Sequence, residues 1–212
     1  MLANLTEPRI RSKYSRVEVA EFMTADQFFE DAPEGQKAEL INGVLYMMTP
    51  PSDEHEQLQL FLLTLIRLFV EENELGEVRG SRTAVQIDAI NAYEPDIMFV
   101  ARDREHIVQS KGVFGAPNLV VEILSPSTAR HDRVEKMRAY ERVGVREYWL
   151  IDPYGPSGTA FYQLKEGVYF AIEPDADGWI DSAMLPRFRL NVECLWPEKR
   201  FIKVLTALKA MI

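Results

Sequence analysis

Apolar positions change their spacing several times along the chain, and each change predicts an element. Thr24 stands where a helix N-cap should, with Phe28 and Phe29 on the inner side of a short helix after it. Two apolar runs, Ala38-Glu39-Leu40-Ile41 and Val44-Leu45-Tyr46-Met47-Met48, flank Asn42-Gly43. Asn-Gly between such runs predicts a hairpin, because both turn positions tolerate positive φ. Across 53–73, Leu58, Leu62, Leu65, Ile66 and Phe69 recur every three or four residues and predict a long amphipathic helix, closed by Gly76 and Gly80. Three strands are expected next, over 83–87, 96–100 and 119–124, and they can form an antiparallel meander. A helix over about 131–143 stops at Gly144, and a strand over 148–151 follows it. The remainder reads as strands over 160–164, 168–172 and 188–192, with a terminal helix over 201–211.

A helix between two strands predicts a parallel crossover. The expected fold class is therefore α/β in a mixed form: a mixed sheet with helices on its faces. Residues 1–23 read as a polar lead-in and 24–212 as a single domain, in keeping with a chain of 212 residues. No apolar run is long enough to span a bilayer, and the first ten residues lack the apolar centre of a secretory signal. Cys194 is the single cysteine, so no internal disulfide forms and a cytoplasmic, reducing compartment is expected.

The net charge of −9 argues mildly against nonspecific nucleic-acid binding. It leaves a nuclease open, because metal-holding carboxylates add negative charge and a local basic patch can outweigh the sum. Residues 130–147 offer such a patch, with six basic against four acidic side chains.

Two acids stand in apolar surroundings. Asp96 heads the strand Ile97-Met98-Phe99-Val100 after Pro95, a placement that a plain strand-start turn also explains. Glu122 interrupts Leu119-Val120-Val121 and Ile123-Leu124, a run typical of a strand buried on both faces. Such an acid needs a cation, a partner such as an arginine, or a raised pKa. Two carboxylates on neighbouring strands suit Mg²⁺ or Mn²⁺, which keep several waters and take phosphate oxygens. His55, His106 and His131 are scattered and lack zinc spacing. Asp132, Lys136 and Tyr140 share one helix face. Lys136 either points back over the strand end or pairs with Asp132 at the surface.

These segments resemble a known family when taken in order. Glu39-Leu40-Ile41-Asn42-Gly43, His55 opening a helix, Pro95-Asp96-Ile97, Val121 to Thr128, Asp132, Lys136, Tyr140 and Gly144 to Trp149 resemble the Uma-type restriction endonuclease family of the PD-(D/E)XK nuclease superfamily. The resemblance runs from about residue 24 to 195. It implies a restriction-endonuclease-like fold and a Mg²⁺-dependent endonuclease acting on DNA. Asp96 and Glu122 would hold the metal with the Ile123 carbonyl, and Lys136 would be a relocated catalytic lysine. Leu124 stands where the superfamily motif has its lysine. Glu39 would add a catalytic carboxylate, with His55 and Tyr140 as auxiliaries. Alternatives from other classes are a nuclease fold that binds nucleic acid without cutting, and a protein-interaction role. Trp179, Trp196 and Phe188 would then form a homodimer face, although such aromatics more often belong to a core.

Overall fold

The structure is a computed structural model that describes residues 17–19, 22–31, 35–126, 128–197 and 203–211. Most of the expected lead-in, Ser127 of the resemblance and residues 201–202 of the expected terminal helix lie outside them. The first part holds β1 (Val17–Val19), α1 (Ala25–Asp31), β2 (Ala38–Ile41), β3 (Val44–Met47) and α2 (Asp53–Glu72). Then come β4 (Gly76–Gly80), β5 (Val85–Asp88), β6 (Asn91–Tyr93), β7 (Ile97–Ala101), β8 (Val108–Gln109), β9 (Gly112–Phe114) and β10 (Leu119–Ile123). A helical stretch follows in three continuous pieces: α3 (Ala129–His131), a π-helical segment (Asp132–Lys136) and α4 (Met137–Val143). The chain continues through β11 (Glu147–Ile151), β12 (Ala160–Lys165), β13 (Val168–Ile172), β14 (Trp179–Asp181), β15 (Arg189–Asn191) and α5 (Val204–Met211).

Among the described residues the strands form two large mixed sheets and a small β14–β15 ribbon. The central sheet has the order β13-β12-β11-β10-β7-β4. Its β10 and β11 run parallel, joined by the helical stretch, so the predicted crossover is present. The meander expected from 83–87, 96–100 and 119–124 is not. β7 and β10 are antiparallel neighbours, but β5 belongs to the second sheet, of order β1-β3-β2-β6-β5-β9-β8. The strand beside β7 on its other side is β4, where glycine punctuation had been expected. In β4 only Val78 is buried, so no alternating pattern announces the strand. Gly76 is required there: at φ +145 its backbone passes so close to the Val100 carbonyl that a Cβ would collide with it.

Strand pleating explains the layers, since successive side chains point to opposite faces. Ile97, Phe99, Leu119, Val121 and Ile123 face one side and pack on Leu58, Leu62, Leu65 and Ile66 of α2. Burying each of those helix side chains contributes roughly 1.5–3 kcal/mol. Met98, Val100, Val120 and Leu124 face the other side. They pack on Ala139 and Tyr140 of α4 and on Ile41, Val85 and Tyr93 of the second sheet. Glu122 has the parity of Val120 and Leu124, which aims it into this second layer.

Phe188 packs edge-on against Phe69 in the α2-side core. It is therefore spent on the interior and not available for the dimer face considered above. Trp179 and Trp196 are half-buried; the Trp196 indole donates to the Asp152 carbonyl at 2.7 Å. The basic stretch 130–147 is also less of a surface patch than it reads, because Lys136 is buried and Arg142 is tied to Asp88. No helix among the described residues is long and apolar enough to cross a membrane.

Candidate active site

Antiparallel pairing of β10 with β7 sets Val121 against Ile97. Extending that register by one residue sets Glu122 against Asp96. Residues opposite one another share a face, so the two acids come together at the end of the strand pair. Both are almost fully buried.

Each Asp96 oxygen has its own partners. Oδ1 accepts the Lys37 ammonium at 2.8 Å. Oδ2 accepts the Ile123 backbone N–H at 2.9 Å and lies 3.2 Å from His55 Nε2. The Asp96 carbonyl accepts from the Gln59 side chain at 3.0 Å. Burial alone would raise the pKa of this acid, but Lys37 and His55 outweigh it and hold Asp96 below the usual carboxylate range. His55 reaches the site because α2 begins beside it. Ser52 caps that helix, its hydroxyl accepting from the His55 N–H at 3.3 Å.

Glu122 sits in a different field. Its Oε1 accepts from Lys136 at 3.0 Å and from the Tyr140 hydroxyl at 3.1 Å. Burial pushes its pKa up to about 8; Lys136 opposes this, while Asp132, Asp96 and Glu39 add to it. Lys136 also donates to Glu39 Oε1 at 2.6 Å and stands 3.1 Å from Asp132 Oδ1. Burial works against its charge, yet these three carboxylates raise its pKa well above the ordinary value. Lys136 thus does pair with Asp132, as helical spacing allows, but inside the protein and not at the surface. Glu39 comes from β2 and shares its face with Ile41, which points it towards the central sheet.

The structure therefore gathers all six residues singled out in the sequence: Asp96, Glu122, Lys136, Glu39, His55 and Tyr140. All but Tyr140 line one cavity of about 830 Å³, together with Leu124. Leu124 itself is buried in the apolar layer against α4. Sequence reasoning missed Lys37 as a site residue and gave Asp132, a face partner of Lys136 and part of the family resemblance, no role of its own. Lys37 had a signal: in an extended segment it shares a face with Glu39, two positions on.

The acids outnumber the cations. Glu39, Asp96, Glu122 and Asp132 are buried against two ammonium groups, Lys37 and Lys136, and one imidazole. Glu39 Oε2 is buried without a hydrogen-bond partner. No three His, Cys, Asp or Glu side chains among the described residues are grouped to hold an ion by themselves. One or two carboxylates supplemented by water and substrate phosphate oxygens are nevertheless the usual Mg²⁺ arrangement. A hard, oxygen-seeking cation fits this donor set and its excess of acidic over basic side chains.

Known structures place this architecture. The fold is similar to the crystal structure of a putative nuclease belonging to DUF820 from Anabaena variabilis, with a TM-score of 0.67 and 18% identity. The match covers 82% of this chain and 97% of that one. The chain thus shares the fold of that structure, with buried acids at the end of its central strands. More closely, the chain belongs to the Uma2 family, described as “Putative restriction endonuclease”, which it matches over residues 24–193. Two relatives from Synechocystis sp., both described as uncharacterized, are 26% identical over 141 residues and 32% identical over 145. The first match covers 65% of this chain and 79% of the relative, the second 66% and 74%.

Proposed function

We propose that this protein is a divalent-metal-dependent DNA endonuclease that hydrolyses phosphodiester bonds, with Asp96 and Glu122 holding Mg²⁺ or Mn²⁺. The observation that carries this reading is the convergence of Asp96, Glu122, Glu39 and Lys136 on one cavity. Lys136 and Glu39 are 97 residues apart in sequence and 2.6 Å apart in space. When bound, the cation polarises the scissile phosphate and lowers the pKa of an attacking water.

The chain's own groups prepare for that chemistry. The Ile123 N–H and His55 fix the Asp96 carboxylate, and Tyr140 and Lys136 fix Glu122. The Ile123 carbonyl is the further ligand that the family resemblance implies. Lys136 opposes the rise that burial imposes on the Glu122 pKa and so favours the ionised form that a metal ligand needs. It takes the part of the lysine that Leu124 replaces, offsetting negative charge beside the reacting phosphate. Glu39 holds Lys136 from the opposite side. Leu124 and its apolar layer keep water away from the rear of the site.

The two lysines already seated on the acids favour a second reading, a nuclease fold that binds DNA without cutting it. One experiment separates the two. Purified protein is incubated with plasmid, single-stranded and branched DNA in Mg²⁺ or Mn²⁺, beside Asp96→Ala. The endonuclease reading expects cleavage that chelation abolishes and Asp96→Ala lowers roughly 100-fold or more, the scale on which groups at a metal site matter. Salt-dependent binding with no cleavage above the Asp96→Ala control would establish the second reading instead.

A further inference from the structure

The two lysines of the site differ in freedom. The Lys136 side chain is 3% exposed and is hemmed in by Glu39, Glu122 and Asp132. The Lys37 side chain is 24% exposed and meets one carboxylate oxygen, Asp96 Oδ1. Its backbone is anchored, since the Lys37 carbonyl accepts the Met48 N–H at 2.8 Å. The side chain beyond it is a flexible four-carbon stem ending in a compact charge.

Asp96 cannot offer both oxygens equally. Oδ2 is committed to the Ile123 N–H and faces His55. Oδ1 is the oxygen left for a cation, and Lys37 stands on it. An ammonium and a divalent ion close together on one oxygen repel each other strongly in a site where water screens poorly.

From this geometry we infer that Lys37 is an exchangeable counter-ion: it holds Asp96 Oδ1 in the ion-free protein and leaves that oxygen when a divalent cation binds. Asp96 stays neutralised in both states, first by the ammonium and then by the ion. Lys136 stays in place and serves as the permanent counter-ion of Glu39, Glu122 and Asp132. The inference rests on the metal reading of this site proposed above.

Mn²⁺ titration, followed by electron paramagnetic resonance and by calorimetry at one pH and ionic strength, tests it without turnover. Lys37→Met removes the competitor and binds Mn²⁺ about tenfold more tightly, the effect of deleting one hydrogen bond to a charged group. Lys37→Arg keeps a charge and a donor and stays close to the parent protein. Arg82→Met, a change at a half-exposed cation lining the same cavity, shifts affinity less than Lys37→Met does. Lys37→Gln repeats the comparison should Lys37→Met fold poorly, as judged by thermal melting. Unchanged or weaker binding by Lys37→Met and Lys37→Gln overturns the exchange while leaving the metal site standing. Equal tightening by Arg82→Met also overturns it, because a general change in field would then suffice. No Mn²⁺ binding by any of these proteins overturns the metal site and the exchange together.

Discussion

Lys136 keeps its charge where water barely reaches it, because three carboxylates surround its ammonium within 3.1 Å. Removing it strands Glu39, Glu122 and Asp132 with no cation between them. Lys136→Met is expected to cost about 3–5 kcal/mol of folding stability, the usual penalty for breaking a buried charge pair from one side. Urea unfolding measures this, and a loss below about 1 kcal/mol, the value of an exposed pair, would show that the cluster does not depend on it. At this scale the sequence was partly legible. Glu122 announced itself as one charge in an apolar run, and Asp96 as an acid opening such a run. Lys136 did not, because helical spacing says which residues share a face but not what that face meets. Its burial depends on Glu39 from a distant hairpin. Lys37 carried only the weak sign of a face shared with Glu39, since its partner Asp96 is 59 residues away.

Elements with strong periodicity were the legible ones. The α2 helix begins at Asp53 as expected and ends within a residue of the predicted boundary. The Asn42-Gly43 turn has positive φ at both positions, 51 and 76, as the hairpin needs. Short strands were not legible. β4, β6, β8 and β9 have two to five residues each and draw their hydrogen bonds from partners that no local pattern reveals. The π-helical turn at Asp132–Lys136 was also invisible, although it is where Asp132 and Lys136 face inward. Such turns often mark functional sites. Glu147 shows how tertiary contacts set an element's value. Its Oε1 accepts the Trp149 indole N–H at 2.9 Å, and its Oε2 accepts the Ser182 hydroxyl at 2.7 Å and the Met184 N–H at 3.0 Å. One buried acid thereby ties β11 to the segment leading into β15. Glu147→Ala leaves the Trp149 indole and the Ser182 hydroxyl without that acceptor, while the Met184 N–H keeps the Ser182 oxygen at 3.2 Å, and is expected to cost roughly 2–4 kcal/mol in urea unfolding. Mn²⁺ affinity should not change, since Glu147 lies outside the cavity lining. A loss of Mn²⁺ binding in a folded Glu147→Ala protein would show that the two regions are coupled.

The whole molecule is organised around the seam between its two large sheets. The central sheet supplies Glu122 and the strand that Asp96 opens, the second sheet supplies Glu39, and the helical crossover supplies Lys136 and Tyr140. The parallel crossover could be read from strand-helix-strand order. The division into two sheets could not, because β5 gives no local sign of which neighbour it joins. The overall charge of −9 also gains a local meaning, for several of the acids are gathered in this seam with too few cations to match. The most direct test is a crystal structure of the protein soaked in Mn²⁺, with anomalous data collected. One ordered peak is expected, about 2.0–2.6 Å from Asp96 Oδ1 and from a Glu122 oxygen, the range for hard cations on oxygen, with the Lys37 ammonium moved off Oδ1. A cavity without an anomalous peak, with Lys37 still on Asp96 and Lys136 still on Glu122, would contradict a metal-dependent nuclease centre at these residues.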